Sequence, residues 1–363
     1  MESISEKHVL NGRNQIFLIV ILTISTFALA LFSMGLGSSS QLDMFSTMKI
    51  IFDTDQFSCL LGFDAGDWVF PCNQDLQSQI VWNLRFPRIM MGMITGVALA
   101  TAGALMQGCL GNPLVSPLTL GVASGAALVA AFAIVLNLSF IPIPELAIVA
   151  NAFLFSLIVV GIIIQLGNMR SISAESYILV GIAITFIAGA IVSTMQYFAT
   201  DAQLSQLAHW SFGSLSRPDL NNTFWIGLSI LWLMPGVFKW AWDLNTLSLG
   251  GDEFAISTGV EPVRTRRNIL IISALMTSIV ISFTGLIGFV GLAAPHMSRL
   301  LIGNDYRKLI PCSAVFGAFL VVFADTVGRT LFAPIVIPVG IMLSIIGGPF
   351  FMYLLLHNRG HAH

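Results

Sequence analysis

Long apolar runs separated by short polar connections make up most of this chain. An α-helix needs roughly 20 apolar residues to cross a bilayer, and the chain has room for about ten such runs. The pattern therefore predicts an all-α polytopic membrane protein, with a polar tail at 1–14 and one transmembrane domain at 15–363. The predicted spans lie near 15–34, 89–108, 114–136, 144–166, 177–199, 223–242, 268–285, 286–301, 309–327 and 335–356.

The runs at 268–285 and 286–301 meet without a polar loop between them. Their junction reads FTGLIGFVGLAAP, in which glycine recurs and a proline follows. Because glycine and proline interrupt regular helix, we expect a tight glycine-rich turn followed by a short helix.

Composition supports a membrane location. Hydrophobic residues make up 56% of the 363 residues and charged residues only 9%, whereas about 25% of the residues in soluble domains are charged. A soluble fold of this composition could not keep its apolar surface away from water. No stripe of basic residues interleaved with aromatic residues occurs, which argues against a nucleic-acid partner.

The first apolar run follows Lys7 and Arg13, so a cleaved signal peptide is an alternative to a permanent span. The run is longer than a typical signal core, and no clear small-x-small cleavage site follows it. We therefore expect it to remain as the first span.

The distribution of Lys and Arg predicts the orientation in the membrane. Ten spans place both termini on one side, and eleven of the sixteen Lys and Arg residues fall on that side. Because cytoplasmic loops carry the excess of basic residues, both termini are predicted to lie in the cytoplasm. In a bacterial inner membrane the opposite side is the periplasm. The acidic segment 35–83 is then a periplasmic loop.

The stretch 85–127 combines three features that an ordinary span lacks. It opens with Arg85 and Arg88 on either side of a proline, and it ends in GNPLVSP, whose prolines prevent a continuous helix. Between these ends small residues recur at every fourth position, which aligns them in one stripe and favours close helix packing. The stripe consists of Gly92, Gly96, Ala100, Ala104 and Gly108.

Three of the basic residues on the outer side lie directly against the ends of spans: Arg85, Arg88 and Arg329. Asp325 precedes Arg329 by one helical turn, where the two side chains can form an ion pair. The sequence leaves two interpretations open. These arginines pair within the protein or with lipid phosphates, or they form a docking surface for a partner.

Two polar insertions are predicted to form short helices. Residues 200–220, on the outer side, are amphipathic enough for a helix lying on the membrane surface. Residues 244–267, on the cytoplasmic side, contain LGGDEFAISTGVEP. We expect Asp252 and Glu253 in the first turn of this helix and Gly259 as its C-terminal stop.

The four cysteines divide between two compartments. Cys109 and Cys312 lie near the predicted inner ends of spans, whereas Cys59 and Cys72 fall in the outer loop. Because the bacterial periplasm is oxidising, Cys59 and Cys72 are candidates for a disulfide, and two free thiols are the alternative.

Several kinds of chemistry are absent from the sequence. It contains no G-x-x-x-x-G-K-S/T phosphate loop and no metal-binding histidine spacing such as H-E-x-x-H. The spans carry almost none of the deep ionisable residues that ion-coupled carriers need, and we expect His296, near the inner boundary, to be structural. An enzyme, a metal site and an ion-coupled carrier are therefore disfavoured.

Three segments resemble a known family. The sequence RFPR with the following GVALATAGALMQGCLGNPLVSPLTLGVASGAA resembles the second and third spans of the FecCD family, the iron-chelate and cobalamin permeases of type II bacterial ABC importers. LGGDEFAISTGVEPVRTRR resembles the coupling segment of this family, and the chain from GLIGFVGLAAPHMSRLL onward resembles its last three spans. The resemblance covers about 82–356 and implies ten spans with cytoplasmic termini.

The resemblance also implies roles for individual residues. At the outer face, Arg85, Arg88 and Arg329 would receive acidic residues of a periplasmic binding protein, since the donor fork of arginine binds a carboxylate bidentately. Ala174 and Glu175 depart from the small hydroxyl residues expected at the second gate segment. The implied gate residues are Asn112, Leu114, Ala174 and Glu175. The implied pathway residues are Thr185, Ser193, Thr194 and Gln196. The implied ATPase contacts are Gly251, Asp252, Glu253, Ala255 and Gly259.

The resemblance finally implies a transport subunit that carries no catalytic residue and binds no cofactor itself. Its implied partners are two ATPase subunits that hold ATP and Mg²⁺, a second permease chain, identical or paralogous, a periplasmic binding protein, and membrane lipid. A ferric siderophore is the expected cargo, with heme, cobalamin and oxyanions as alternatives. A secondary carrier and a non-transporting membrane scaffold are the alternatives from other functional classes.

Overall fold

The computed structural model describes residues 4–37, 43–53, 75–138, 144–168 and 174–357. These residues form helices and connecting turns, and no β-strand occurs among them. A π-helical turn, Ile80–Arg85, joins the helix that ends at Gln79 to the helix that begins at Phe86. The helices in chain order are α1 (Ile4–Gly35), α2 (Met44–Ile51), α3 (Leu76–Gln79), α4 (Phe86–Cys109), α5 (Val122–Val135), α6 (Pro144–Asn168), α7 (Ala174–Phe198), α8 (Asp201–Ser211), α9 (Leu220–Lys239), α10 (Ala241–Ser257), α11 (Pro262–Thr284), α12 (Val290–Ile302), α13 (Tyr306–Thr330) and α14 (Val339–His357).

The described helices confirm the all-α polytopic class but do not confirm ten spans. Each predicted run overlaps a described helix, and 223–242 overlaps both α9 and α10. Six described helices are long and apolar enough to cross a membrane, or seven if the bent pair α9 and α10 forms one span. Helices α5 and α12 have only 14 and 13 residues. Each is therefore about 20 Å long, which is shorter than the roughly 30 Å hydrocarbon core of a bilayer.

Helix α5 begins at Val122 rather than near residue 114. The prolines of GNPLVSP keep the preceding residues out of the helical conformation. Gly121 then adopts φ 79° at the N-cap, a left-handed conformation that glycine tolerates without a steric cost. The third predicted span therefore consists of a turn-rich segment, residues 110–121, followed by a short helix.

The break predicted between the seventh and eighth runs is present. Helix α11 ends at Thr284, and α12 starts at Val290. Gly285 lies between them with φ 76°, and a Cβ there would overlap the Trp210 carbonyl. The close approach of α8 to this turn therefore requires glycine.

Helix α4 forms the centre of the bundle, where it packs against α11, α12 and α13. Its small-residue stripe permits this close packing. A Cβ on Gly96 would overlap the backbone of Gly317 in α13, and a Cβ on Gly103 would overlap the carbonyl of Gly291 in α12. Helices associate in membranes through such backbone contacts between small residues. The stripe predicted the contact at Gly96, whereas Gly103 lies outside the stripe.

The outer insertion 200–220 contains a short helix, α8, as predicted. Thr200 caps it, accepting a hydrogen bond from the Gln203 amide while the Gln203 side chain accepts one from the Thr200 amide. This reciprocal capping satisfies two of the free amides at the helix start.

Candidate functional site

Side-chain hydrogen bonds shape the turn-rich segment 110–121, which follows α4. The Asn112 Oδ1 accepts a hydrogen bond from the Leu114 amide at 2.9 Å. The Ser116 amide donates to Thr119 Oγ1 at 2.8 Å, and that hydroxyl donates back to the Ser116 carbonyl at 2.9 Å. These bonds replace the helical ladder that the prolines prevent, so the segment has a defined shape.

A cavity of about 750 Å³ lies between this segment, α5 and α7. Most of its lining side chains are apolar, and Leu114 is 54% exposed beside it. The Ser124 and Thr185 hydroxyls share a hydrogen bond of 3.3 Å across the wall. The polar lining residues are Asn112, Thr119, Ser124, Thr185 and Ser211. An apolar wall with a few polar groups is typical of a site for a bulky ligand.

Sequence reasoning identified part of this cavity. Asn112, Leu114 and Thr185 were expected at the gate or pathway, and all three line it. The remaining gate and pathway residues are not among the lining residues, and their roles stay predictions: Ala174, Glu175, Ser193, Thr194 and Gln196. Thr119 and Ser124 were missed, although the S-x-x-T spacing of residues 116–119 favours a hydroxyl turn at this position.

At the end of the bundle that is predicted to face outward, Arg88 and Arg329 pair with the same carboxylate. Arg88 binds Asp325 through Nη2 at 2.8 Å and Nε at 3.0 Å, and Arg329 Nε binds it at 3.0 Å. Arg329 also donates to the Leu36 carbonyl at 3.0 Å and to Ser33. This cluster joins α1, α4 and α13, and it is the intramolecular pairing that the sequence left open.

Arg85 is buried beside this cluster, with 6% of its surface exposed. Its Nη1 donates to the Met34 carbonyl at 2.8 Å and lies 3.4 Å from Thr47 Oγ1. Its Nη2 has no hydrogen-bond partner among the described residues. Arg88 and Arg329 bind Asp325, and Arg85 lies near enough to Arg329 for their charges to interact. Among the described residues the cluster therefore has three arginines to one carboxylate.

On the opposite side, α10 contains the short helix predicted in the cytoplasmic insertion. Gly251 breaks α10 with φ 69° and ψ −159°, and Asp252 and Glu253 begin the part that follows. Gly259 has φ 86° just beyond the helix end, and its amide donates to the Ile256 carbonyl at 3.0 Å. The predicted first turn and glycine stop are therefore confirmed. We call residues 252–257 the coupling helix, after the role that the sequence resemblance predicts for them.

Arg266 of α11 contacts the coupling helix, a link that sequence reasoning missed. Its Nη1 donates to Asp252 Oδ2 at 2.8 Å, and its Nε donates to the Cys109 carbonyl at 2.8 Å. Arg266 is 7% exposed, whereas its neighbours Arg264 and Arg267 are exposed. The three basic residues look alike in sequence, and only the helix orientation distinguishes the buried one.

Asp305 anchors the first half of α10 to the start of α13. The Asn245 Nδ2 donates to Asp305 Oδ1 at 2.9 Å, and the Tyr306 amide donates to Asn245 Oδ1 at 2.8 Å. Arg307 binds the same carboxylate at 2.9 Å. Its hydrogen bond is the main cause that lowers the pKa of Asp305 to about 2, with the Asn245 bond contributing further.

The described residues contain no group of three or more His, Cys, Asp or Glu side chains placed to hold a metal ion. Cys109 and Cys312 are free and buried. Cys59 and Cys72 lie outside the described residues, so their disulfide stays a prediction. Most of the predicted periplasmic loop 35–83 also lies outside them.

A helical bundle with several membrane-length helices and an apolar cavity beside a broken span defines a polytopic membrane transport protein. The chain belongs to the FecCD transport family, whose model matches residues 18–357. It is the permease of a type II ABC importer.

Similar proteins carry several cargo names. The hemin transport system permease HmuU of Yersinia pestis is 39% identical over 77% of this chain and 84% of its own length. A Helicobacter pylori protein described as an iron chelatin transport system permease is 36% identical over 79% of this chain and 86% of its own length. The vitamin B12 import permease BtuC of Vibrio vulnificus is 32% identical over 80% of this chain and 86% of its own length.

A solved structure shares the fold. It is described as an inward-facing conformation of a metal-chelate type ABC transporter, and it matches with a TM-score of 0.75 at 25% identity. The match covers 94% of this chain and 98% of that one. The similarity therefore extends over nearly the whole bundle.

Proposed function

We propose that this chain is the transmembrane subunit of an ATP-driven importer for an iron–siderophore complex. The observation that carries the proposal is the cavity of about 750 Å³ between residues 110–121, α5 and α7. Its wall offers a large apolar contact area with few polar anchors. A bulky chelate can occupy such a wall without a strong bond that would retain it.

In this proposal the chain performs no covalent chemistry and binds no cofactor. Two ATPase subunits bind ATP and Mg²⁺, and they contact the permease through the coupling helix and the glycines on either side of it. Ala255 is buried against the bundle, whereas Glu253 is exposed and free to meet a partner. ATP binding and hydrolysis then open the cavity alternately to the two sides of the membrane. Among the residues that the resemblance implies, Glu253 and the flanking Gly251 and Gly259 would meet the ATPase, whereas Asp252 and Ala255 would hold the helix against the bundle.

A second permease chain, identical or paralogous, would complete the pathway. Beside the cavity, α7 exposes Phe186 by 74% and Ile187 by 61%. The two copies would face each other across this apolar surface, with Ser193, Thr194 and Gln196 further along the same helix.

The excess of Lys and Arg on the N-terminal side supports a bacterial inner membrane with both termini in the cytoplasm.

A periplasmic binding protein would deliver the chelate to the outer end. The excess positive charge of Arg85, Arg88 and Arg329 around Asp325 suits the acidic residues of such a partner. Arg88 is the most exposed of the three, with 14% of its side chain accessible against 8% for Arg329. It would therefore meet a carboxylate first, while the other two stay in the cluster.

Heme is the second candidate cargo, because the hemin permease of Yersinia pestis is 39% identical and the iron chelatin permease of Helicobacter pylori 36%. A vitamin B12 permease is only 32% identical to this chain, which makes cobalamin a weaker candidate. An oxyanion is weaker still, because a charged group binds poorly against an apolar wall. A secondary carrier or a non-transporting scaffold would function without an ATPase.

Parallel uptake assays test the cargo. The permease is reconstituted in proteoliposomes with its partner ATPase and binding protein, and ⁵⁵Fe-siderophore, hemin and cobalamin are supplied separately. We expect ⁵⁵Fe-siderophore to accumulate at least about tenfold above the others. Preferential uptake of hemin or cobalamin would contradict the siderophore assignment.

A further inference from the structure

The carbonyl of Cys109, the last residue of α4, lacks the backbone partner that a continuing helix would supply. That partner would be the amide four positions later, and residue 113 is a proline without an N–H group. The three preceding carbonyls are satisfied locally. The Met106 carbonyl accepts from the Leu110 amide, the Gln107 carbonyl from the Asn112 amide, and the Gly108 carbonyl from the Gly111 amide.

Arg266 supplies the missing donor. Its Nε lies 2.8 Å from the Cys109 carbonyl, and its two terminal nitrogens bind the two carboxylate oxygens of Asp252. The Arg266 side chain is 8% exposed, whereas Asp252 is 46% exposed. One planar guanidinium thus bridges the coupling helix and the end of α4.

The two halves of α10 differ in how they are held. The half before Gly251 is fixed to α13 through Asn245 and is buried at Leu244. The coupling helix after it is mostly exposed. Gly251 itself has φ 69°, and a Cβ there would meet nothing within 4 Å, so the backbone has room to change its angle. The coupling helix can therefore rotate about Gly251 while the first half of α10 stays in place.

We propose that Arg266 is a positioning residue that transmits movement of the coupling helix to the turn-rich segment 110–121, which we call the gate segment. This inference rests on the proposed function. Because the guanidinium is rigid and its fork holds the carboxylate at two points, displacement of Asp252 moves Arg266 with it. The Cys109 carbonyl follows, and the gate segment begins at the next residue. Asn112 and Leu114 of that segment line the cavity.

Asp252→Asn and Arg266→Ala test this role in the complete transporter, reconstituted with its ATPase and binding protein. A Leu114→Cys substitution in each background reports the gate through its rate of maleimide labelling with and without ATP. We expect both variants to copurify with the ATPase and to hydrolyse ATP. Their substrate uptake per ATP should fall at least about tenfold, and the ATP-dependent change in labelling should disappear.

Two controls separate transmission from folding or general charge loss. Asp252→Glu keeps the carboxylate and should retain most of the coupling that Asp252→Asn loses. Arg267→Ala removes an exposed arginine one position from Arg266 and should leave uptake per ATP near the wild-type value. Asp252 is half exposed, so its substitution keeps the test valid even where Arg266→Ala folds poorly.

Each outcome decides a specific point. Uptake per ATP and gate labelling within about twofold of wild type in Asp252→Asn would overturn the role of Arg266. Failure of Asp252→Asn to copurify with the ATPase would also overturn it, since Asp252 would then serve binding rather than transmission. A wild-type complex without ATP-driven uptake would instead overturn the proposed function itself.

Discussion

The guanidinium of Arg88 and the carboxylate of Asp325 lie 2.8 Å apart, although 237 positions separate them in the sequence. Arg329 binds the other oxygen of the same carboxylate from one turn further along α13. Asp325 is only 2% exposed. A buried carboxylate of this kind holds its partners in place, because removing it leaves uncompensated buried charge.

Asp325→Asn is therefore expected to destabilise the protein by about 3 to 5 kcal/mol. The reason is that Arg88 and Arg329 lose their counter-ion and stay largely buried. The free energy of unfolding in detergent, followed by tryptophan fluorescence during denaturant titration, measures the change. Asp201→Asn, an exposed acid in the first turn of α8, is the matched control and should cost less than about 1 kcal/mol. Equal losses in the two variants would show that the cluster contributes little.

Gly96→Ala is expected to disrupt the packing of α4 on α13. A Cβ at this position would overlap the backbone of Gly317 and Ala318, which cannot move aside as a flexible side chain would. The cost of such overpacking is about 1 to 3 kcal/mol or more, measured by the same unfolding assay. In α6, Gly161 has open space around its Cβ position, so Gly161→Ala should be neutral or slightly stabilising. An unchanged stability in Gly96→Ala would mean that the two helices lie further apart.

Asp305 predicts a pH dependence with a defined sign. Its folded-state pKa is about 2, lowered from 3.8 mainly by the Arg307 hydrogen bond. A lowered carboxylate pKa contributes stability above the unfolded value, and that stability is lost as the pH falls from about 4 to about 2. Because the side chain is partly exposed, we expect about 1 to 2 kcal/mol. Asp305→Asn should lose this amount at pH 7 and show a shallower decline in stability below pH 4. A decline as steep as that of wild type would contradict the assignment.

Ala127→Trp tests the cavity as the route of the cargo. Ala127 lines the wall, and an indole there would occupy much of the space that a chelate needs. We expect uptake to fall at least about tenfold while ATP hydrolysis continues, because the substitution leaves the coupling helix untouched. Ala133→Trp, six positions further along α5 and outside the lining, is the control. Normal uptake in Ala127→Trp would place the route elsewhere.

Local sequence rules were sufficient for several of these features. The glycine and proline residues located the breaks after α4 and α11, and the stripe of small residues predicted close packing at Gly96. The stop at Gly259 followed from the preference of helix ends for a left-handed residue. The breaks and the stop depend on backbone conformation within a few residues, which the local sequence reveals.

Other features depend on contacts between distant parts of the chain. Hydropathy cannot tell that α5 and α12 are shorter than a membrane is thick, because their flanking turns are apolar too. Nothing local distinguishes Arg266, which turns inward to Asp252, from Arg267, which faces out. By sequence alone, Arg88 fits either a docking surface or an internal ion pair, because its partner Asp325 lies 237 positions away.

The most direct test of the central claim is the energy dependence of uptake by the reconstituted complex. Proteoliposomes containing the permease, its ATPase and its binding protein are loaded with ATP, and accumulation of ⁵⁵Fe-siderophore is followed with and without a proton ionophore. The account predicts accumulation that requires ATP and all three components and is unaffected by the ionophore. Uptake that persists without the ATPase and collapses when the ionophore is added would contradict it and indicate a secondary carrier.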